Sequence, residues 1–187
     1  LANQGYDSLL SLLCCRHKIR YIQAQARESN RSARTLYAKI DDRLKQFSSA
    51  IAIPDVSTQL DRLQTLLAQI PIDAQSYTQH LSDLHAHCTA IDVNIANYEI
   101  SLKQLAAIGE TPPFWQQFLT LSRDRDRTQI QTNIDYLSPI TALFQQAIDT
   151  IRGTVEIEQA KIDRASEDAA EKRQQTIERL IFAVSTG

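Results

Sequence analysis

Between Asp73 and Gly109 the residues Tyr77, Leu81, Leu84, Cys88, Ile91, Ile95, Tyr98, Leu102 and Leu105 follow one another at alternating steps of four and three. A repeat of about 3.5 residues keeps one apolar stripe against a partner helix as the two supercoil left-handedly, so this segment is bound to a coiled-coil-like partner. A second seam runs Ile130, Ile134, Leu137, Thr141, Phe144, Ile148, Ile151, Val155, Glu158, Ile162, Ala165 and Ala169, and weakens toward its end. A third, less regular one runs Ile19, Ile22, Ala26, Ser29, Ala33, Leu36, Ile40, Leu44, Phe47 and Ile51, with a stutter between Ala33 and Leu44. No segment alternates with the period of a strand. The fold expected is all-α, an elongated antiparallel helical bundle with long coiled-coil helices.

Helix breakers divide the chain. Gly5, Pro54, Pro71, Gly109 with Pro112-Pro113, and Pro139 are the punctuation. They predict a first helix over about 7–53, a short helix with Val56, Leu60, Leu63, Leu67 and Ile70 as its stripe, and a separate helix from Asp73 to Ile108. Asp55 or Ser57 is the expected cap of the short helix. A fourth helix opens at Thr111-Pro112-Pro113 with Phe114, Phe118 and Leu121 as its apolar face. That register does not continue into Ile130 and Ile134, so the chain rotates or breaks at Arg123-Asp124-Arg125-Asp126-Arg127. Ser138-Pro139 marks a new helix start or a kink. At a rise of about 1.5 Å per residue the longest helices would reach about 70 Å and 54 Å, which predicts a rod.

Charge narrows the function classes. The net charge is −2, without the basic excess that nucleic acid or anionic lipid usually demands. Residues 1–45 nevertheless carry nine Lys/Arg against four Asp/Glu, and residues 46–110 two against seven, which favours packing the first helix against the acidic middle segment. Three cysteines, two of them adjacent, fit a reducing compartment better than a disulfide framework. The chain starts at Leu1 and holds no Met, which reads as a piece of a longer polypeptide.

Three clusters are candidate sites. His80, Asp83 and His87 share one helix face, with His85 and Cys88 nearby, and could ligate a divalent metal with help from a neighbouring helix. Cys14, Cys15 and His17 read as a ligand cluster or as a reactive thiol pair, since Arg16 and Lys18 alongside would lower a thiol pKa, with small apolar fillers on a helix as the alternative. Arg16, Arg20, Arg27, Arg31 and Arg34, spaced four, seven, four and three apart, line guanidinium groups along the first helix as a surface for anions or lipid headgroups. The alternatives for this stripe are pairing with Asp83, Asp92 and Glu99 on the acidic helix, or simple exposure to solvent. No interleaved aromatic residues offer a stacking surface for nucleic acid. No phosphate loop, nucleophile elbow or HExxH signature appears, so no enzyme activity and no cofactor are expected.

Residues 156–179 are dominated by Glu, Asp, Lys, Arg, Gln and Ala, and Leu180-Ile181-Phe182-Ala183-Val184 then turn apolar. The domain reading is a coiled-coil bundle over 1–179 and, over 180–187, the start of a truncated transmembrane segment. Lys172, Arg173 and Arg179 place the preceding domain on the cytoplasmic side. The leading functional expectation is a cytoplasmic interaction or scaffold domain of a membrane-anchored protein, contacting a protein partner or itself through its seams. The alternatives are a soluble helical module that binds or inserts into membranes, and the cytoplasmic domain of a helical sensor or channel.

Overall fold

In a computed structural model the backbone is described for Ala2–Ser185 and side-chain surroundings for residues 5–179. The chain is all-α, with no strand among the described residues. Helix α1 spans Ala2–Ile51, α2 Val56–Ala106, α3 Pro113–Leu121 and α4 Thr128–Ser185, and a π-helical turn over Ser122–Arg127 joins α3 to α4. Two compact units result, one of Leu1–Ile40 and Asp73–Phe144, the other of Asp41–Ile72 and Gln145–Gly187. Helices α1, α2 and α4 each contribute to both.

In the first unit the seams close on one another. Leu12, Cys15, Ile19, Ile22, Ala26 and Ala33 of α1 are buried, as are Tyr77, Leu84, Ile91, Ile95, Tyr98 and Leu102 of α2 and Ile130, Ile134, Leu137 and Phe144 of α4. Helices α1 and α2 run antiparallel. The Ser8 hydroxyl donates to Gln104 Oε1 (2.9 Å), the Ser11 and Ser101 hydroxyls lie 3.1 Å apart, and Lys39 Nζ lies 3.0 Å from Asp73 Oδ1. As the α1 number rises, the α2 number falls. Helix α4 is likewise antiparallel to α2, since Arg123 meets Glu99, Arg127 meets Asp92 and the Tyr77 hydroxyl donates to the Leu137 carbonyl at 2.8 Å.

Pro71 does not end a helix, contrary to the sequence expectation. The short helix and the Asp73–Ile108 helix are one, Val56–Ala106, with Pro71 inside it. A proline inside a helix costs about 3 kcal/mol. Leu63 and Ile70, with no exposed surface, and Leu66 offset that, since burying each such side chain contributes about 1.5–3 kcal/mol. Ile70 and Tyr77 are seven residues apart, so both stripes lie in one register. Asp73 occupies the step between them, buried and ion-paired with Lys39. Pro139 likewise lies inside α4 without ending it, and the Ser138 hydroxyl donates to the Ile134 carbonyl at 2.7 Å. Asp55 is the cap of α2, its Oδ2 accepting the Thr58 N–H at 2.9 Å. The hydroxyl and N–H of Thr58 together hold the Asp55 carboxyl below its ordinary pKa.

The Arg-Asp run neither breaks the helix nor stays α-helical. Its π-helical turn absorbs one extra residue, the usual means of fitting an insertion into an α-helix. The buried side of this stretch is Leu119, Ser122, Asp126, Ile130, Ile134 and Leu137, whose three consecutive steps of four exceed the heptad by one residue. The expected face of Phe114, Phe118 and Leu121 is corrected accordingly. Leu119 is the buried residue, Phe118 is half-buried, and Phe114 and Leu121 are exposed.

In the second unit Ala50, Leu60, Leu63, Leu66, Ile70, Ile148 and Ile151 form the core. Beyond Val155 the covering stops. From Glu156 to Arg179 every residue is exposed except Glu158 and Ile162, which are half-buried.

Candidate functional site: the arginine face and the uncovered part of α4

The five arginines predicted as a stripe have separate surroundings. Arg16 lies over the Phe118 ring at 5.5 Å from its centroid, and Arg34 over Tyr136 at 5.3 Å. Arg31 pairs with Glu28 at 3.0 Å within its own helix. Arg20 and Arg27 are exposed and have no partner among the described residues. Asp92 and Glu99 of the acidic helix take their cations from elsewhere than α1. Asp92 pairs with Arg127 at 3.1 Å, and Glu99 with Arg123 at 2.6 Å and Lys103 at 3.1 Å. Hydrogen bonds from Lys103, then from Arg123, hold the Glu99 carboxyl below its ordinary pKa. Among the described residues no arginine of the stripe pairs with Asp83, Asp92 or Glu99, and Arg20 and Arg27 instead lie in solvent, the other alternative. Arg123 and Arg127 were legible as a charged run but not as these partners, because the extra residue that turns them toward α2 shows only as a skipped seam step.

His80, Asp83 and His87 do not converge. His80 Nδ1 stands 3.7 Å from Asp83 Oδ2, and Asp83 Oδ1 accepts a hydrogen bond from Gln79 Nε2 at 3.0 Å. Among the described residues no three His, Cys, Asp or Glu side chains form a group that could hold a metal ion. The thiols also depart from the reactive pattern. Cys14 is exposed, while burial raises the pKa of Cys15 and Cys88 and so favours the neutral thiol over the thiolate. Cys88 donates to Gln131 Oε1 at 3.6 Å, a contact between α2 and α4.

Tyr98 and Tyr77 fix the helices around this face. The Tyr98 hydroxyl donates to the Trp115 carbonyl at 3.2 Å, and burial pushes its pKa up to about 12. Tyr77 is raised further for the same reason, so both phenols stay protonated donors at neutral pH.

The remaining surface is the α4 segment after Val155. Gln159 and Asp163, Gln174 and Glu178, and Lys161 and Glu158 satisfy one another along the helix at three- and four-residue spacings. Such exposed pairs add only about 0.2–0.5 kcal/mol each, so they leave the helix dependent on packing for further stability. Ala165 and Ala169 continue the seam but are exposed. Leu180–Gly187, read from sequence as the start of a membrane span, lie outside the residues whose side chains are described. Among the described residues no helix is long and apolar enough to cross a membrane.

Fold and surface together define an all-α helical-bundle protein. Comparison with protein-family models, with curated proteins and with solved structures found no match.

Proposed function

We propose that the chain is a non-enzymatic helical interaction domain, held at the cytoplasmic side of a membrane through the C-terminal end of α4. It acts by offering the α4 segment after Val155 to another helical surface. The observation that carries this reading is the exposure of residues 156–179, where a seam that is covered as far as Ile151 continues through Ile162, Ala165 and Ala169. Most helical stability in proteins comes from packing rather than from the helix alone, and small seam residues let a second helix approach closely. The membrane part rests on the apolar run Leu180–Val184 next to Lys172, Arg173 and Arg179.

A photo-reactive residue at Ala165, compared with one at exposed Thr132, tests the interaction in cells of the natural host. A discrete crosslinked species from Ala165 alone is expected, in a carbonate-resistant membrane pellet. Equal crosslinking from both positions would sink the interaction reading. Recovery in the soluble fraction would remove the membrane attachment.

A further inference from the structure

We propose that the cleft between α1 and the π-helical turn binds a small anion carrying a carboxylate or phosphate group. The cleft has a volume of about 390 Å³ and is lined by Gln23 and Arg27 of α1 and by Arg125, Gln129 and Asn133 across from them. Ala26, buried and small, leaves the space open at its floor.

Two guanidinium groups line one cleft, and only one has a counter-charge. Arg125 Nε donates to Asp126 Oδ1 at 2.8 Å, and Asp126 is 7% exposed, whereas Arg27 has no partner among the described residues. The cleft therefore holds one uncompensated positive charge. Guanidinium forks match carboxylate and phosphate oxygens through paired N–H donors, and the side-chain amides of Gln23 and Asn133 add neutral donors. Asp126 is a positioning residue. Its burial has a desolvation cost, and its pair with Arg125 neutralises it and fixes that guanidinium at the cleft. The π-helical turn accounts for the arrangement, since its extra residue puts Asp126 on the core side of α4 with Arg125 beside it. Such turns are frequent at functional sites.

The inference stands apart from the interaction reading, because the cleft lies in the first unit and the uncovered segment of α4 in the second. Titration of the isotope-labelled chain with inorganic phosphate and with citrate, at constant ionic strength, tests it by NMR. Saturable shifts at Gln23, Arg27, Arg125 and Gln129 are expected. R27Q should weaken binding about tenfold and R27K nearly as much, because lysine keeps the charge but loses the fork. R20Q, on the same stripe outside the cleft, should leave binding unchanged. A parallel flotation with phosphatidic acid vesicles separates the sources. Saturation by the free anions identifies a soluble ligand, and Arg27-dependent flotation without it identifies a lipid headgroup. Neither response, or equal losses in R20Q and R27Q, would overturn the proposal.

Discussion

Replacing Phe144 by Ala is expected to destabilise the chain by about 3–5 kcal/mol, the range for removing a buried aromatic ring from a core. Phe144 is 3% exposed and sits against two other rings. Its centroid is 5.0 Å from Tyr77 in an edge-to-face arrangement and 6.2 Å from Tyr37 in a stacked one. The three rings come from α4, α2 and α1, so the substitution opens a cavity where all three helices meet. It also loosens Tyr77, whose hydroxyl ties α2 to the α4 backbone at Leu137. Urea unfolding followed by circular dichroism measures the loss, with Leu143→Ala, at an exposed neighbour, as the control expected within about 0.5 kcal/mol of the parent. A loss below about 1 kcal/mol at Phe144 would mean that the three helices do not meet there.

Deleting one residue should have opposite consequences in two places. Removal of Asp124 converts the π-helical turn into an α-helical one and leaves Leu119 on one side and Ile130 on the other in a single heptad register. That variant is expected to fold cooperatively, with a loss under about 2 kcal/mol. Removal of Thr89, exposed in the middle of α2, has no such slack. A one-residue deletion inside an α-helix rotates the residues on one side of it by about 100° relative to the other. In α2 that turns Ile91, Ile95, Tyr98 and Leu102 off the core. At about 1.5–3 kcal/mol for each side chain, the loss approaches the whole stability of a domain, about 5–15 kcal/mol. Thermal unfolding of both variants checks the contrast. Equal damage from the two deletions would show that the turn does not absorb an extra residue.

The deletion contrast also marks where the sequence was legible. The heptads from Tyr77 to Leu102 and from Ile130 to Ile151 are visible as spacing alone, because supercoiled helices require that period, and both stripes are buried save for half-buried Thr141. The local rule against interior proline predicts a helix end at Pro71, but the in-phase step from Ile70 to Tyr77 is the longer-range fact that prevails. Tertiary burial of Leu63, Leu66 and Ile70 overrides the local penalty. At the Arg-Asp run the missing register was legible, but its resolution was not. Phe118 and Leu121 are the more prominent apolar residues, whereas the core takes Leu119, Ser122 and Asp126.

Ser122 shows the limit most plainly. It is fully buried, its hydroxyl has no hydrogen-bond partner among the described residues, and no pattern rule places an unpaired serine at a seam position. The arginine stripe was legible as periodicity. Its division into ring-stacked Arg16 and Arg34, ion-paired Arg31 and unpartnered Arg20 and Arg27 depends on which neighbour each side chain meets.

The claim that matters most for function is that α4 is uncovered from Glu156 onward. Hydrogen–deuterium exchange of the isolated chain at low concentration, read peptide by peptide, tests it most directly. Amides of a helix held only by its own hydrogen bonds open by fraying, whereas those under a packed core open only with larger unfolding. The account predicts exchange within 156–179 that is at least about a hundredfold faster than within 77–102, as an opening free energy smaller by about 3 kcal/mol would give. Comparable protection in the two segments would contradict it, because something in the chain itself would then cover α4.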